Sequence, residues 1–384
     1  MADSQLQRIE WHKLSPYFPQ YLFNEIVEDS VYQSFRAISD VFVKSSVGIV
    51  TGRDEIALQF SADDVLTTIG TLARGEASIV GAGLKTGRDS TEWKLSEVIA
   101  DVRGARISKD LVKPLTYRPF DTRFAFRTGA SRGLINRPRM EAWLDFDQTN
   151  LGLVTSRLTK GENFAHALVT GEMIEKILLS SNTSNNAFVF PMYSRSGSEF
   201  RENLSADFRA FLDTRYDHHY TPEEILGYIY AVLYAPTYRG RYAEFLRIDF
   251  PRVPFPEMAG DFERLSLLGW ALVQAHLLRE FPRRGLAAYH GKGDHAVEAV
   301  RYSPEEQSVA INKTQKFKPV PQAVWDFHIG GYQVLDKYLK SRKGRTLSLD
   351  EINHVAAVAD TLAFTIDQMA RIDEAYMAAF SEGG

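Results

Sequence analysis

The sequence predicts an α+β protein, with a β-rich mixed domain over residues 1–215 and a mainly helical domain over residues 216–384. Three observations carry that expectation. At 384 residues the chain exceeds what a single core usually serves. Before residue 215 the apolar residues come in short runs bounded by Gly, Pro, Ser and Asn, which is the signature of strands joined by turns. Beyond it they recur at helical spacing behind capping boxes.

Taken in order, residues 1–30 hold Trp11, Leu14, Tyr17, Phe18, Tyr21 and Phe23 around Pro16 and Pro19, a lead-in expected to pack against something larger. Strands are expected at 41–43, 47–51, 56–60, 123–127, 151–155 and 187–190, with a few helices between them. The Ser and Asn tract 180–186 reads as an exposed, mobile connection. Thr221, Pro222 and Glu224 supply a cap, a first-turn proline and a capping-box acid for a helix that carries Ile225, Tyr228, Ile229, Val232 and Leu233 on one face. A second helix is expected at 265–278 and a strand at 308–312. Ser348 and Glu351 open a long amphipathic helix through Ile352, Val355, Leu362, Ile366, Met369 and Ile372.

Composition excludes several chemistries. The chain has no cysteine, so disulfides, thiolate zinc sites, cysteine-held iron-sulfur clusters and cysteine nucleophiles are ruled out together. No signal peptide opens it and no apolar run is long enough to span a bilayer, so a cytoplasmic protein is expected. Charge is distributed unevenly: residues 101–140 hold ten Lys or Arg against three acids, a local +7 in a chain of net −4. Tyr117, Phe120, Phe124 and Phe126 interleave with them. Such a stretch reads as a nucleic-acid face, because cations there displace counterions while the acidic remainder limits nonspecific adhesion. Ordinary solvated arginines are the alternative.

Catalytic signatures are weak. The segment Gly81 to Gly87 lacks the Gly-Lys-Ser/Thr ending of a phosphate loop, and Gly129-Ala130-Ser131-Arg132-Gly133 lacks the helix that must follow a hydrolase elbow, since Pro138 interrupts it. His218 and His219 beside Asp213 and Asp217 read as an exposed loop rather than a metal site. The Asp/Asn-Pro-Pro-aromatic tetrapeptide of amino-methyltransferases does not occur.

Other segments carry a specific resemblance. Gly48-Ile49-Val50-Thr51-Gly52-Arg53-Asp54 resembles the turn that opens the target recognition region of fused adenine methyltransferase and restriction enzymes. Tyr117-Arg118-Pro119-Phe120-Asp121, with Arg123, and then Asn136-Arg137-Pro138, with Met140, are similar to the next landmarks of that family. Tyr228 to Pro236, Tyr238 to Leu246, Asp249 to Pro254 and Gly330 to Arg342 continue the series. In this order they resemble the C-terminal specificity region of type ISP restriction-modification enzymes, from about Trp11 to Asp373.

The resemblance implies a β-rich target recognition domain, a helical supporting domain, and sequence-specific recognition of double-stranded DNA on behalf of an adenine-specific methyltransferase and restriction enzyme. It implies no catalysis and no cofactor in this chain. S-adenosylmethionine and ATP would serve methyltransferase and motor/nuclease domains that the family places upstream, in the same or a partner chain, and no membrane is involved. The candidate DNA contacts are Thr51, Arg53 and Asp54 in the first turn, Lys85 and Arg88 in the glycine-rich stretch, and Arg132, Arg137, Arg139, Arg157 and Lys160 in loop-like surroundings. Arg118 and Arg123 bracket Asp121 and either touch DNA or brace the loop internally; Lys340, Arg342 and Lys343 either grip phosphates or cap a helix. The rival readings are a hydrolase using Asp213, Asp217 and His219, and a scaffold subunit of a defence complex that binds no DNA.

Overall fold

The computed structural model describes residues 29–197 and 199–380; the apolar lead-in before residue 29 lies outside them. Its first half is built on two four-stranded sheets. The strands in chain order are β1 (Ser46–Val47), β2 (Leu58–Gln59), β3 (Val112–Arg118), β4 (Asp121–Phe126), β5 (Gly152–Ser156), β6 (Ala167–Thr170), β7 (Met173–Ile174) and β8 (Ala187–Pro191). One sheet runs β1-β8-β5-β6 and is antiparallel throughout. The other runs β2-β4-β3-β7, with β7 parallel to β3.

All five residues of β5 are buried, and period-2 geometry explains how both of its faces are used. Leu153 pairs with Phe190 and Val169, and all three enter one apolar cluster. Val154 pairs with Val189 and Leu168, which enter a second. The first cluster is completed by α3 (Pro222–Tyr234) and α4 (Ala259–His276); the second by α5 (Val334–Lys340) and part of α6 (Leu349–Phe380). A third, smaller cluster joins α1 (Ala62–Arg74) and α2 (Leu95–Gly104) to Trp93, Phe126 and Leu134. The first two clusters both draw residues from either side of residue 215.

Both expected capping boxes form. Thr221 Oγ1 accepts the Glu224 amide while Glu224 accepts the Thr221 amide, and Ser348 and Glu351 repeat the exchange. Helix α6 then continues for 32 residues, placing Val355, Val358 and Leu362 in the second cluster and Ile372, Ala375 and Tyr376 in the first. Helices α3 and α4 cross closely, since a Cβ at Gly269 would stand 1.9 Å from the Gly227 carbonyl oxygen.

Four expectations need correction. The run 41–43 ends a one-turn helix, Ile38–Val41, and only Phe42 is bridged, to Leu204. In the run 56–60, Ile56 and Ala57 belong to the turn Asp54–Ala57, whose amides at Ile56 and Ala57 donate to Arg53 O, leaving two residues for β2. The tract 180–186 is anchored, not exposed throughout. Ser180 donates to Glu162, and the buried Asn185 donates to Glu162 and to the Lys160 carbonyl, because short polar side chains there satisfy the facing loop. Finally, the helical half contains a four-stranded sheet (Ala288–His290, Arg301–Ser303, Ser308–Ala310, Lys316–Lys318) where the sequence predicts one strand. Three-residue strands are too short for alternation to register.

Among the described residues no helix is long and apolar enough to cross a membrane. One polar chain runs through the helical core. Thr365 donates its hydroxyl proton to Thr361 O, so it accepts from His276 Nε2, and the free Nδ1 accepts from Tyr230 at 2.6 Å. Burial, with the charge of Arg239, pushes the His276 pKa down to about 3. In the unfolded chain the imidazole takes a proton near pH 6.5, so the unfolded state binds more protons between about pH 6.5 and 3 and stability falls as pH falls through that window. Denaturation between pH 7 and 4.5 is therefore expected to show an added loss of roughly 1.4 kcal/mol per pH unit that His276→Gln removes from the slope. An identical slope in the variant counts against a neutral buried histidine.

Candidate nucleic-acid interface

The turn that follows β1 is shaped by close packing. A Cβ on Gly48 would lie 2.5 Å from the Glu175 carbonyl carbon and the Lys176 amide, so only glycine lets the two backbones meet. Ile49 then exchanges hydrogen bonds with Ile174 and Lys176, while Val50 exchanges two with Arg137 and Thr51 O accepts the Asn136 amide. The 48–54 turn is thus a backbone rung between 174–176 on one side and 136–137 on the other.

Behind it sits a buried polar network. Asp54 accepts from Thr51 Oγ1 and, at 2.7 Å, from Tyr117 Oη, and Arg118 bridges to Glu175 at 2.6 Å. Burial pushes the Glu175 carboxyl above its usual range even against Arg118. Arg118 lies over the Tyr117 ring with its guanidinium 3.8 Å from the centroid. Thr51 and Arg118 are therefore interior groups, each 3% exposed, and act on the surface only by holding the turn.

Three segments converge in front. Arg53 lies over the Trp93 ring and donates to Arg88 O at 2.8 Å, so the turn is tied to the 88–93 segment. Glu92 accepts from Asn136 and Arg137, at 3.4 and 3.5 Å, tying 88–93 to 132–139. The 132–139 loop is clamped from below, because Asp101 in α2 accepts the Thr128 hydroxyl and the Leu134 amide, both at 2.8 Å. Lys85, Arg88, Arg132, Arg137 and Arg139 are exposed around this junction. The segment 129–133 forms a turn and leads to a helix only at Met140, so it builds no hydrolase elbow.

The remaining candidates separate into buried and peripheral groups. Arg123 binds Asp121 with two hydrogen bonds, at 3.0 and 2.8 Å, and Arg342 reaches the same carboxylate at 3.0 Å. Both arginines and Asp121 are buried. Burial alone would raise the Asp121 carboxyl, but the two guanidiniums hold it below its ordinary value. Phe60 lies under Arg123 and Arg345, at 3.5 and 3.4 Å, and Tyr338 under Arg342 at 3.4 Å. Arg123 and Arg342, expected as possible DNA contacts, instead lock β4 to α5 and α6, because a buried carboxylate claims them. Arg157 is exposed but paired with Asp249 at 2.9 Å, Lys340 with Asp336 at 2.8 Å, and Lys160 and Lys343 stand exposed.

Sequence reasoning passed over Asp101, Glu92, Trp93, Phe60 and Glu175. Each works through a contact distant in sequence, and an isolated acid or ring carries no local signal for that. The rival hydrolase set comes only partly together: His219 pairs with Asp213 at 2.8 Å, while Asp217 is the left-handed cap of the helix Ala206–Tyr216. Among the described residues no group of three or more His, Asp or Glu is placed to hold a metal ion.

Removing one partner of a buried cluster leaves uncompensated charge, so Asp121→Asn is expected to lower folding stability by about 3 to 5 kcal/mol in chemical denaturation. Because the folded carboxyl titrates below its unfolded value, the contribution is complete above roughly pH 4 and fades as pH falls further. A loss under about 1 kcal/mol would show that the cluster is not holding the halves together.

The Type ISP C-terminal specificity domain family matches residues 40–370 of the chain. No curated protein matches it. Among solved structures, the chain is similar to the DrdV–DNA complex determined by cryo-electron microscopy, with a TM-score of 0.74 at 20% identity over 95% of this chain and 40% of the other. A nuclease-deletion mutant of the Type ISP restriction-modification enzyme LlaGI with a DNA substrate mimic gives 0.71 at 17% identity, over 95% and 31%. The ATP-dependent Type ISP enzyme LlaBIII bound to DNA gives 0.67 at 15%, over 89% and 24%. The chain thus spans two fifths or less of each of these relatives, and at such identities they share its fold. With 331 of its 384 residues matched by the family, the chain belongs to the Type ISP C-terminal specificity domains.

Proposed function

We propose that this chain recognises a short double-stranded DNA sequence and confers that specificity on an adenine-specific methyltransferase and restriction enzyme. The observation that carries the reading is the junction of segments 48–54, 88–93 and 132–139, where exposed arginines from loops far apart in sequence share one hydrogen-bonded platform. Its placement in a specificity-domain family and its similarity to three proteins solved with DNA or a DNA mimic support the same assignment. Loop side chains at the junction would meet base edges, while the exposed Lys85, Lys160 and Lys343 would attract phosphates. Methyl transfer would need S-adenosylmethionine on a separate catalytic domain, and DNA translocation would need ATP on a motor domain.

If about six phosphates are neutralised, log affinity for duplex DNA should fall against log salt with a slope of roughly −5. Fluorescence anisotropy across a salt series measures it, and a flat response removes the DNA-groove reading.

The isolated chain is further expected to transfer no labelled methyl group to DNA and to hydrolyse no ATP. Turnover abolished by a point substitution within this chain would contradict that expectation.

A further inference from the structure

Arg132 and Arg139 both adopt left-handed backbone, with φ of +61° and +54°. Non-glycine residues other than Asn, Asp and His seldom accept that conformation, and where they do some other interaction holds them. Phe120 and Ala287, with similar φ, are packed into an apolar cluster, and Leu278 packs against it. His295 lies edge-on to Tyr289, Asp217 is a residue type that tolerates the conformation, and Gln307 closes the hairpin between Arg301–Ser303 and Ser308–Ala310. The two arginines hold turn positions, Arg132 closed onto Asn136 and Arg139 as the N-cap of Met140–Leu144. Neither side chain adds apolar or ring packing, and arginine is not a residue type that tolerates the conformation. Their side chains are exposed and bonded to no partner among the described residues. Nothing in the folding of the loop calls for arginine at either place.

The backbone around them is nonetheless fixed. The Arg132 amide donates to Asn136 O at 2.9 Å, and Arg139 O accepts the amides of Ala142 and Trp143 at 3.0 and 3.3 Å. Pro138 stiffens the chain before Arg139. Arg137, between them, is engaged by Glu92 through its side chain and by Val50 through its backbone.

We propose that Arg132 and Arg139 are the residues of this loop that read guanine edges, each offering a preorganised guanidinium fork to O6 and N7, while Arg137 positions the loop. The proposal rests on the DNA-recognition reading above and sorts its arginines. A guanidinium fork reads guanine through two parallel hydrogen bonds that a lysine ammonium does not reproduce. Asparagine removes the fork and suits the left-handed backbone better.

The test starts from a selection of preferred duplexes by the full chain. Competition binding then measures the preference for each G·C pair of that site over its replacements, for the parent and for Arg132→Lys, Arg132→Asn, Arg139→Lys and Arg139→Asn. Each arginine's variants should flatten the preference at one G·C pair by about fivefold or more, at a different pair for each. The Lys variants should keep the parental salt slope, and the Asn variants should melt at or above the parental temperature. Unaltered preferences in the Lys variants overturn the proposal. So does a lowered melting temperature in the Asn variants, which would give these arginines a structural role. A parent chain that selects no sequence overturns the DNA-recognition reading itself, before any variant is compared.

Discussion

The buried carboxylate of Asp121 is the constraint on which the two halves of this molecule depend. It sits at the end of a tight hairpin, between Arg123 of its own strand and Arg342 beyond the end of α5, with Phe60 and Tyr338 stacked on the guanidiniums. Desolvating three charged groups is costly, and their mutual hydrogen bonds offset that cost only in one geometry. The cluster therefore fixes how the β3–β4 hairpin meets the helical half more sharply than apolar packing alone would, because packing tolerates sliding and the directed, charge-assisted hydrogen bond from Arg342 to Asp121 does not.

From that hairpin the constraint passes outward. Tyr117 and Arg118, at the end of β3, hold Asp54 and Glu175, and these set the 48–54 turn on which the 132–139 loop is paired. Surface loops that present side chains to a ligand gain when their backbone is settled in advance, since less freedom is lost on contact. Here the settling is done by backbone pairing at Val50 and Arg137 and by Asp101 below the loop, leaving the side chains of Arg132 and Arg139 unburdened by structural duty.

Arginine has opposite fates within one basic stretch. Arg118 and Arg123 are buried against carboxylates, Arg127 is held by Asp147 at 2.6 Å, and Arg132 and Arg139 face solvent. Net charge counts all of them equally, so the +7 of residues 101–140 overstates the charge available to a phosphate backbone. Part of it is neutralised from outside the stretch, by Glu175 on Arg118 and by Asp147 on Arg127, while Asp121, already counted in the sum, takes up Arg123.

The sequence by itself determined the mixed α+β class, both capping boxes, the long terminal helix and the strands at β4, β5 and β8, because each rests on local chemistry: a cap bonding its own first turn, or apolar residues recurring at a fixed period. The family landmarks were legible in the same way, as ordered local strings. Only the tertiary structure decided which basic residues are available. A partner such as Glu175 for Arg118, or Asp121 for Arg342, lies 57 or 221 residues away, and no local pattern reports it. It also decided that Asn185 is buried, that three-residue strands form a sheet in the helical half, and that Trp93 and Glu92 complete the junction, since each of these depends on what a distant segment places alongside.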